Sequence, residues 1–351
     1  MPAPVPAADR SEAAQASPPQ RPPSISAAVP EPFGLAITID DVPWNGPMPG
    51  GDTAVRATRR MIEVLAQHRA PVAVFVNCRG GRTSRLVLDE WAAAGATVGN
   101  HTTGHLDLHA TPLARWEESI RDCDAFLKRT GVRPRYFRYS QLHHGRTSAE
   151  GDSAAAAVAR QGYRNAPVTI DNSDFLLATP YELAMRAGDT AKRDALTRLM
   201  LAHDSVATVH FRDVARAVLG RDVRHVLLLH ANTMTADNLD RLLTMLADMG
   251  AHFISLDDAL ADPVYALPDR VRSPAGVSWL YRVGAISTDR MQRGGRVTTP
   301  VILYDGNCGF CDGTVKFVLP AAGHRPRRDL ACAMALRSAS DAEAREEASR
   351  A

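Results

Sequence analysis

Residues 35–41, Leu-Ala-Ile-Thr-Ile-Asp-Asp, carry the first pair of groups that could do chemistry. Five apolar or β-branched residues run straight into two adjacent carboxylates, and Pro43, Asn45, Gly46 and Pro47 come next as turn formers. This pattern predicts a short buried strand ending in Asp40 and Asp41. Neighbouring carboxylates repel unless their roles are separated; a bound cation can hold one while the other stays free as a base. A second group is Gly99-Asn100-His101-Thr102-Thr103-Gly104-His105. Histidines four apart share one face of a helical turn, so both imidazoles can reach one ion. Asp41, His101 and His105 then make a three-ligand set with room for water, as in catalytic zinc sites. A His₂Asp set accepts several divalent ions: zinc is the first expectation, with cobalt, nickel or another divalent ion as alternatives.

These residues need a frame that gathers them. From residue 33 strand and helix patterns alternate. Candidate strands are 35–39, 72–76, 96–99, 135–139, 166–170, 225–229 and 252–255. Candidate helices are 53–68, 84–94, 112–129, 151–161, 180–219 in two pieces, and 235–249. Seven strands separated by helices predict a parallel α/β sheet or barrel. Ionisable residues collect at the strand ends: Asp40-Asp41, His101, Arg138, Asp171 with Asp174, and His230. The C-terminal end of the strands is the catalytic face of a parallel barrel. His109, His143, His144, His203, His210, His225 and His252 read as core or surface histidines, with His143 and His144 near the rim.

The chain has 351 residues, enough for one barrel of about 250 plus extras. Net charge is +2 with no long block of one sign, which argues against nucleic acid or an anionic membrane as partner. No apolar run approaches the roughly 18 residues of a membrane span. Five cysteines without regular spacing make no disulfide framework. Residues 1–32, rich in Ala, Pro, Ser and Gln, read as a disordered leader. No charged-then-apolar signal segment precedes the barrel, so the expectation is cytoplasmic as written, or cell envelope or periplasm if the start lies upstream. Residues 263–283 read as an extended segment packing back on the barrel, and 284–299 as a linker.

The five ordered motifs over residues 33–283 resemble the NodB-type polysaccharide deacetylases, carbohydrate esterase family 4. Thr38-Ile39-Asp40-Asp41 resembles the T-F-D-D motif, which implies Asp40 as catalytic base and Asp41 as metal ligand. His101-Thr102-Thr103-Gly104-His105 is similar to H-[ST]-x-x-H and implies both histidines as ligands. Arg138 matches the arginine that positions the base. Asp171-Asn172-Ser173-Asp174-Phe175 resembles D-x-x-D-W, with Phe175 in place of Trp, and Leu228-Leu229-His230 resembles L-x-L-H, whose histidine is the general acid. The resemblance implies a distorted (β/α) barrel of about seven strands. It also implies metal-dependent hydrolysis of acetyl groups, mainly N-acetyl, from an oligo- or polysaccharide. The third motif departs from the family. Arg138 is succeeded by Tyr139-Ser140-Gln141, so Ser140 replaces a stiffening Pro and Gln141 an aromatic residue. Gln141, with Tyr139 before it, is the expected oxyanion and substrate contact. This departure motivates an alternative, a non-catalytic carbohydrate-binding relative.

Residues 301–312 read as a strand leading into Cys308-Gly309-Phe310-Cys311 at a helix start, where the helix terminus can activate Cys308. Tyr304-Asp305-Gly306-x-Cys-x-x-Cys resembles the opening of the DCC-type thiol-disulfide oxidoreductases. The match ends near residue 319, and residues 320–351 are too few for the rest of a thioredoxin-like sheet. Residues 300–351 therefore read as a truncated fragment, and redox chemistry at Cys308 and Cys311 as the second functional alternative.

Overall fold

The structure, a computed structural model, describes residues 31–46 and 53–284. Nearly all of the leader, the linker and the 300–351 segment with Cys308 and Cys311 lie outside the described residues.

Eight strands make one parallel sheet: β1 (Phe33–Val42), β2 (Val72–Val76), β3 (Thr97–Asn100), β4 (Tyr136–Phe137), β5 (Arg164–Asn165), β6 (Ile170–Asp171), β7 (His225–His230) and β8 (Ala251–Phe253). Seven run in the order β5-β4-β3-β2-β1-β7-β6, and β8 pairs with the start of β1. Helices α1 (Thr53–Gln67), α2 (Arg82–Ala93), α3 (Leu113–Arg129), α4 (Ser148–Arg160), α5 (Phe175–Arg186), α6 (Thr190–Leu219), α7 (Thr233–Asp248), α8 (Leu256–Leu260) and α9 (Trp279–Val283) surround it. Strand β1, which pairs with β2, β7 and β8, is buried on both faces. Leu35, Ile37 and Ile39 join Met61, Leu239 and Leu243 in the main core, while Ala36 packs with Phe75, Tyr136 and Val226 on the other side. Each large side chain so buried stabilises the fold by about 1.5–3 kcal/mol, which anchors β1 against the strain at its end.

The sheet is a half-barrel, because β5 and β6 end its path and do not pair. Instead of one strand over 166–170, the chain crosses from the β4 edge to the β7 edge. Ala166 N–H donates to Phe137 O and Thr169 N–H to Val226 O. Pro167 lies within this crossing and has no N–H to extend a ladder. The C-terminal segment bridges the opening: Trp279 N–H donates to Val168 O at 2.7 Å and Ser278 Oγ to Thr169 O at 2.8 Å. That segment is not extended throughout. Ser278 caps a helical turn, α9, which buries Trp279, Leu280 and Val283.

The expectation of no disulfide is corrected. Cys78, just past β2, and Cys123 of α3 are joined, with Cα atoms 5.3 Å apart. Spacing gave no signal because the partners are 45 residues apart and meet only in the fold. Reduction is expected to lower unfolding stability by about 2–4 kcal/mol. Chemical unfolding with and without reductant, with Cys123→Ala as control, measures it; identical curves would mean that the bond contributes nothing. Among the described residues no helix is long and apolar enough to cross a membrane.

Candidate metal centre and acid–base pair

Adjacent residues of a regular strand point to opposite faces. β1 escapes this at its end. Its register with β2 runs Ile39↔Val74, then Val42↔Val76, so β1 carries one extra residue at Asp40-Asp41. Such a bulge re-aims side chains, and Asp41 takes a left-handed φ of 62°. Both carboxyls thereby come near the His101 imidazole, whose Nε2 is 3.8 Å from Asp40 Oδ2 and 3.7 Å from Asp41 Oδ1.

Asp41, His101 and His105 bring one donor atom each within 4.8 Å of one another. His105 Nε2 lies 3.4 Å from Asp41 Oδ1. That oxygen is buried without a hydrogen-bond partner, while Oδ2 accepts from Asn45 Nδ2 at 2.6 Å. His101 Nδ1 bonds Arg138 O at 2.9 Å, which requires the proton on Nδ1 and leaves Nε2 free to ligate. Burial pulls the Asp41 carboxyl up, but His105, His101, His230 and Asn45 outweigh it and hold it at about 2. Burial pushes His105 down to about 4, against the pull of Asp41. A carboxylate, two imidazole nitrogens and one orphaned oxygen between them fit a divalent cation.

The two histidines do not share a helical turn as their spacing suggested. They lie on a loop with left-handed φ at Thr102, Gly104 and His105. Asn77 O and Ser119 O accept from Gly104 N–H and Thr103 N–H, and Asn100 Oδ1 and Thr102 Oγ1 accept from Thr102 N–H and Leu106 N–H. The rings incline at 60° with centroids 4.9 Å apart. A second group, Asp107, His109 and His143, is also close enough to be a candidate. There the two rings stack at 4.0 Å and 11°, so their lone pairs run in parallel planes and do not converge.

Asp40 faces Arg138, whose Nη1 lies 3.2 Å from each carboxylate oxygen. The fully buried guanidinium also donates to Ala166 O and Thr38 Oγ1 and lies 4.3 Å from the Phe75 ring centroid. Asp40 is thus held by a cation that is itself fixed on three sides. At the end of β7, His230 Nδ1 lies 2.5 Å from Asp174 Oδ1, and His230 N–H donates to Asp174 Oδ2 at 2.9 Å. Thr235 adds a third bond to Asp174, and Phe175 meets His230 edge-on at 5.5 Å. Burial pulls His230 down, but Asp174, then Asp41 and Asp40, raise it to about 10. Asp171 accepts from Ser173 N–H within its own turn, and burial pushes its carboxyl up.

Residues 29–165 match the family model described as Polysaccharide deacetylase. The match supports the NodB-type resemblance. It spans Asp40, Asp41, His101, His105 and Arg138; Asp174 and His230 lie beyond it. Among solved structures, the chain is similar to the chitin deacetylase from the fungal pathogen Colletotrichum lindemuthianum, at 19% identity over 66% of this chain and 89% of that one, with a TM-score of 0.47. It is also similar to a family 4 carbohydrate esterase from Streptomyces lividans in complex with acetate, at 18% identity over 66% and 96% and a TM-score of 0.42. A third is a CE4 family pseudoenzyme from Bacillus anthracis, at 14% identity over 66% of each chain and a TM-score of 0.44. No curated protein matches the chain significantly.

The divergent third motif forms a tight turn over Ser140–Leu142, with φ of 58° at Gln141 and 54° at Leu142. Two contacts hold it without a proline. Ser140 Oγ lies 3.3 Å from Thr102 Oγ1 in the histidine loop. Gly276 backs the turn so closely that a Cβ there would sit 1.9 Å from Gln141 O. Gln141 is exposed at the turn. The Tyr139 ring is buried and stacks on Trp116 and on His144. Asn77, whose Nδ2 donates to Asp41 O, and Thr235, which donates to Asp174, support the site and carried no signal in the sequence, since neither has a diagnostic spacing.

Asp174→Asn is expected to return His230 toward the ordinary histidine range of about 6.5, a fall of about two pH units or more. An NMR titration of His230 in metal-free protein measures it; an unchanged alkaline midpoint would remove Asp174 as the cause.

Proposed function

We propose that the protein is a metal-dependent hydrolase that removes acetyl groups, mainly N-acetyl, from an oligo- or polysaccharide. The observation that carries this reading is the buried, unpartnered Asp41 Oδ1 facing two imidazoles, beside a separately anchored carboxylate. Asp41, His101 and His105 would hold a divalent ion, zinc in the first instance. When bound, such an ion lowers the pKa of water from about 15.7 toward 7 and polarises a carbonyl. Asp40, oriented by Arg138, takes the proton of the attacking water. The Gln141 N–H supports the developing oxyanion, a contact commonly worth about 3–4 kcal/mol. His230, kept protonated by Asp174, gives its proton to the leaving amine, which cannot depart as an anion.

The test is acetate release from a panel of acetylated oligosaccharides, comparing chelated protein with the same sample reloaded with Zn²⁺, Co²⁺ or Ni²⁺. Release only after reloading is expected. Stoichiometric metal and bound sugar without acetate would replace this reading with a non-catalytic carbohydrate-binding protein. Absence of metal binding would overturn the ligand assignment.

A further inference from the structure

Behind His230 a chain of hydrogen bonds leads out of the site and into α6. Asp174 holds His230 through both carboxylate oxygens. Its own N–H donates to Asn172 Oδ1 at 3.2 Å, and Asn172 Nδ2 donates to Asp204 Oδ1 at 2.6 Å. Asn172 is 1% exposed and Asp204 2%. The turn they grip is strained, because Ser173, between Asn172 and Asp174, has φ of 53°. Asp204 lies on the buried face of α6 with Ala207, Thr208 and Phe211.

A carboxyl in such a place is expensive to bury. A leucine would fill a helix face of this kind at no such cost, so packing alone does not explain Asp204. Its side chain finds a partner in Asn172, and burial pushes it up to about 8, so that at neutral pH the proton stays on. Neutral, it can hold an amide without placing a second negative charge behind Asp174.

We propose that Asn172 and Asp204 are positioning residues for His230, an amide–carboxyl brace by which α6 fixes the 171–174 turn and, through Asp174, the imidazole. The proposal rests on the reading of His230 as the acid. A loosened brace lets Asp174 and His230 drift from the alignment that proton transfer needs, and misalignment of that kind costs rate more than binding. It leaves Asp41, His101 and His105 untouched, since they stand on β1 and on the loop after β3.

The test uses the full-length protein as Asp204→Asn, Asp204→Leu and Asn172→Ala. Three quantities are read: metal affinity by calorimetry, kcat and KM, and the downfield NMR resonance of the His230 Nδ1 proton bonded to Asp174. Asp204→Asn keeps the acceptor for Asn172 and should stay within about twofold of wild type. Asp204→Leu should bind metal and keep KM, lose about tenfold or more in kcat, and shift or broaden the resonance. Asn172→Ala, which leaves α6 intact, should do the same, and it carries the test if the leucine variant does not fold. Wild-type kcat and resonance in Asn172→Ala and in a folded Asp204→Leu would overturn the brace. So would an Asp204→Asn as impaired as Asp204→Leu. If the wild-type protein releases no acetate, the failure falls on the proposed function, and the resonance still decides the brace.

Discussion

The Asp41→Ala protein is expected to lose its divalent ion, and acetate release with it, while keeping its fold. In the proposed ligand set Asp41 would supply the charge, and its Oδ1 has no hydrogen-bond partner in the protein to compensate its burial. Removing an outer-shell partner of a metal ligand typically costs about 10–100-fold in affinity; removing the anionic ligand itself should exceed that range. Calorimetry and metal analysis after gel filtration measure the loss. Retention of one equivalent of ion with near-native affinity would move the metal elsewhere. The metal-free protein should also register the change through pH. Asp41 is held below the ordinary carboxyl range, so its contribution to stability is present above about pH 3.8 and disappears as pH falls through about 2. His230 has the opposite sign: raised to about 10, it stabilises fully below about 6.5, and that contribution is lost as pH rises through 10. Asp41→Ala removes the acid limb and lowers the alkaline one, because Asp41 is one of the charges that holds the proton on His230.

Asp40→Asn should have the complementary effect: metal retained, turnover lost by about 10²–10⁴-fold, the usual range for a positioned acid or base. The amide is nearly isosteric but cannot accept the proton of water. It also leaves the buried Arg138 guanidinium without its counter-charge, and breaking one side of a buried pair costs about 3–5 kcal/mol. A lower melting temperature should therefore accompany full metal occupancy. Turnover near wild type in a metal-loaded sample would end the assignment of Asp40 as base. Melting unchanged from wild type would mean that Arg138 has found another anion.

Much of the frame was legible because strands and helices leave periodic marks. The helix pattern over 235–249 became α7 within two residues at its start, and Asp40-Asp41 closed an apolar run that could only be a strand. What stayed hidden has physical causes. A bulge adds one residue and no distinctive composition, so nothing announced that both carboxyls would turn toward His101. The left-handed positions of the site are Asp41, Thr102, His105, Gln141, Leu142 and Ser173, where glycine would have advertised the geometry. The surrounding fold imposes these conformations, and side chains required for other reasons occupy them. The partition of 166–170 into two edges had one visible clue, Pro167. The Asn172–Asp204 contact had none, because its partners lie 32 residues apart on a turn and on a helix face.

The close backing of Gln141 by Gly276 bears on the order in which the site is assembled during synthesis. A nascent chain has made all three candidate metal ligands by residue 105 and His230 well before the end of the barrel. The backbone that presses on the Gln141 turn is translated afterwards, together with Ser278 and Trp279, which bridge the open side of the sheet. A ribosome-bound chain that ends short of residue 276 holds every ionisable residue of the site but not the wall behind its third motif. The last piece laid down is a glycine strap with no reactive group of its own.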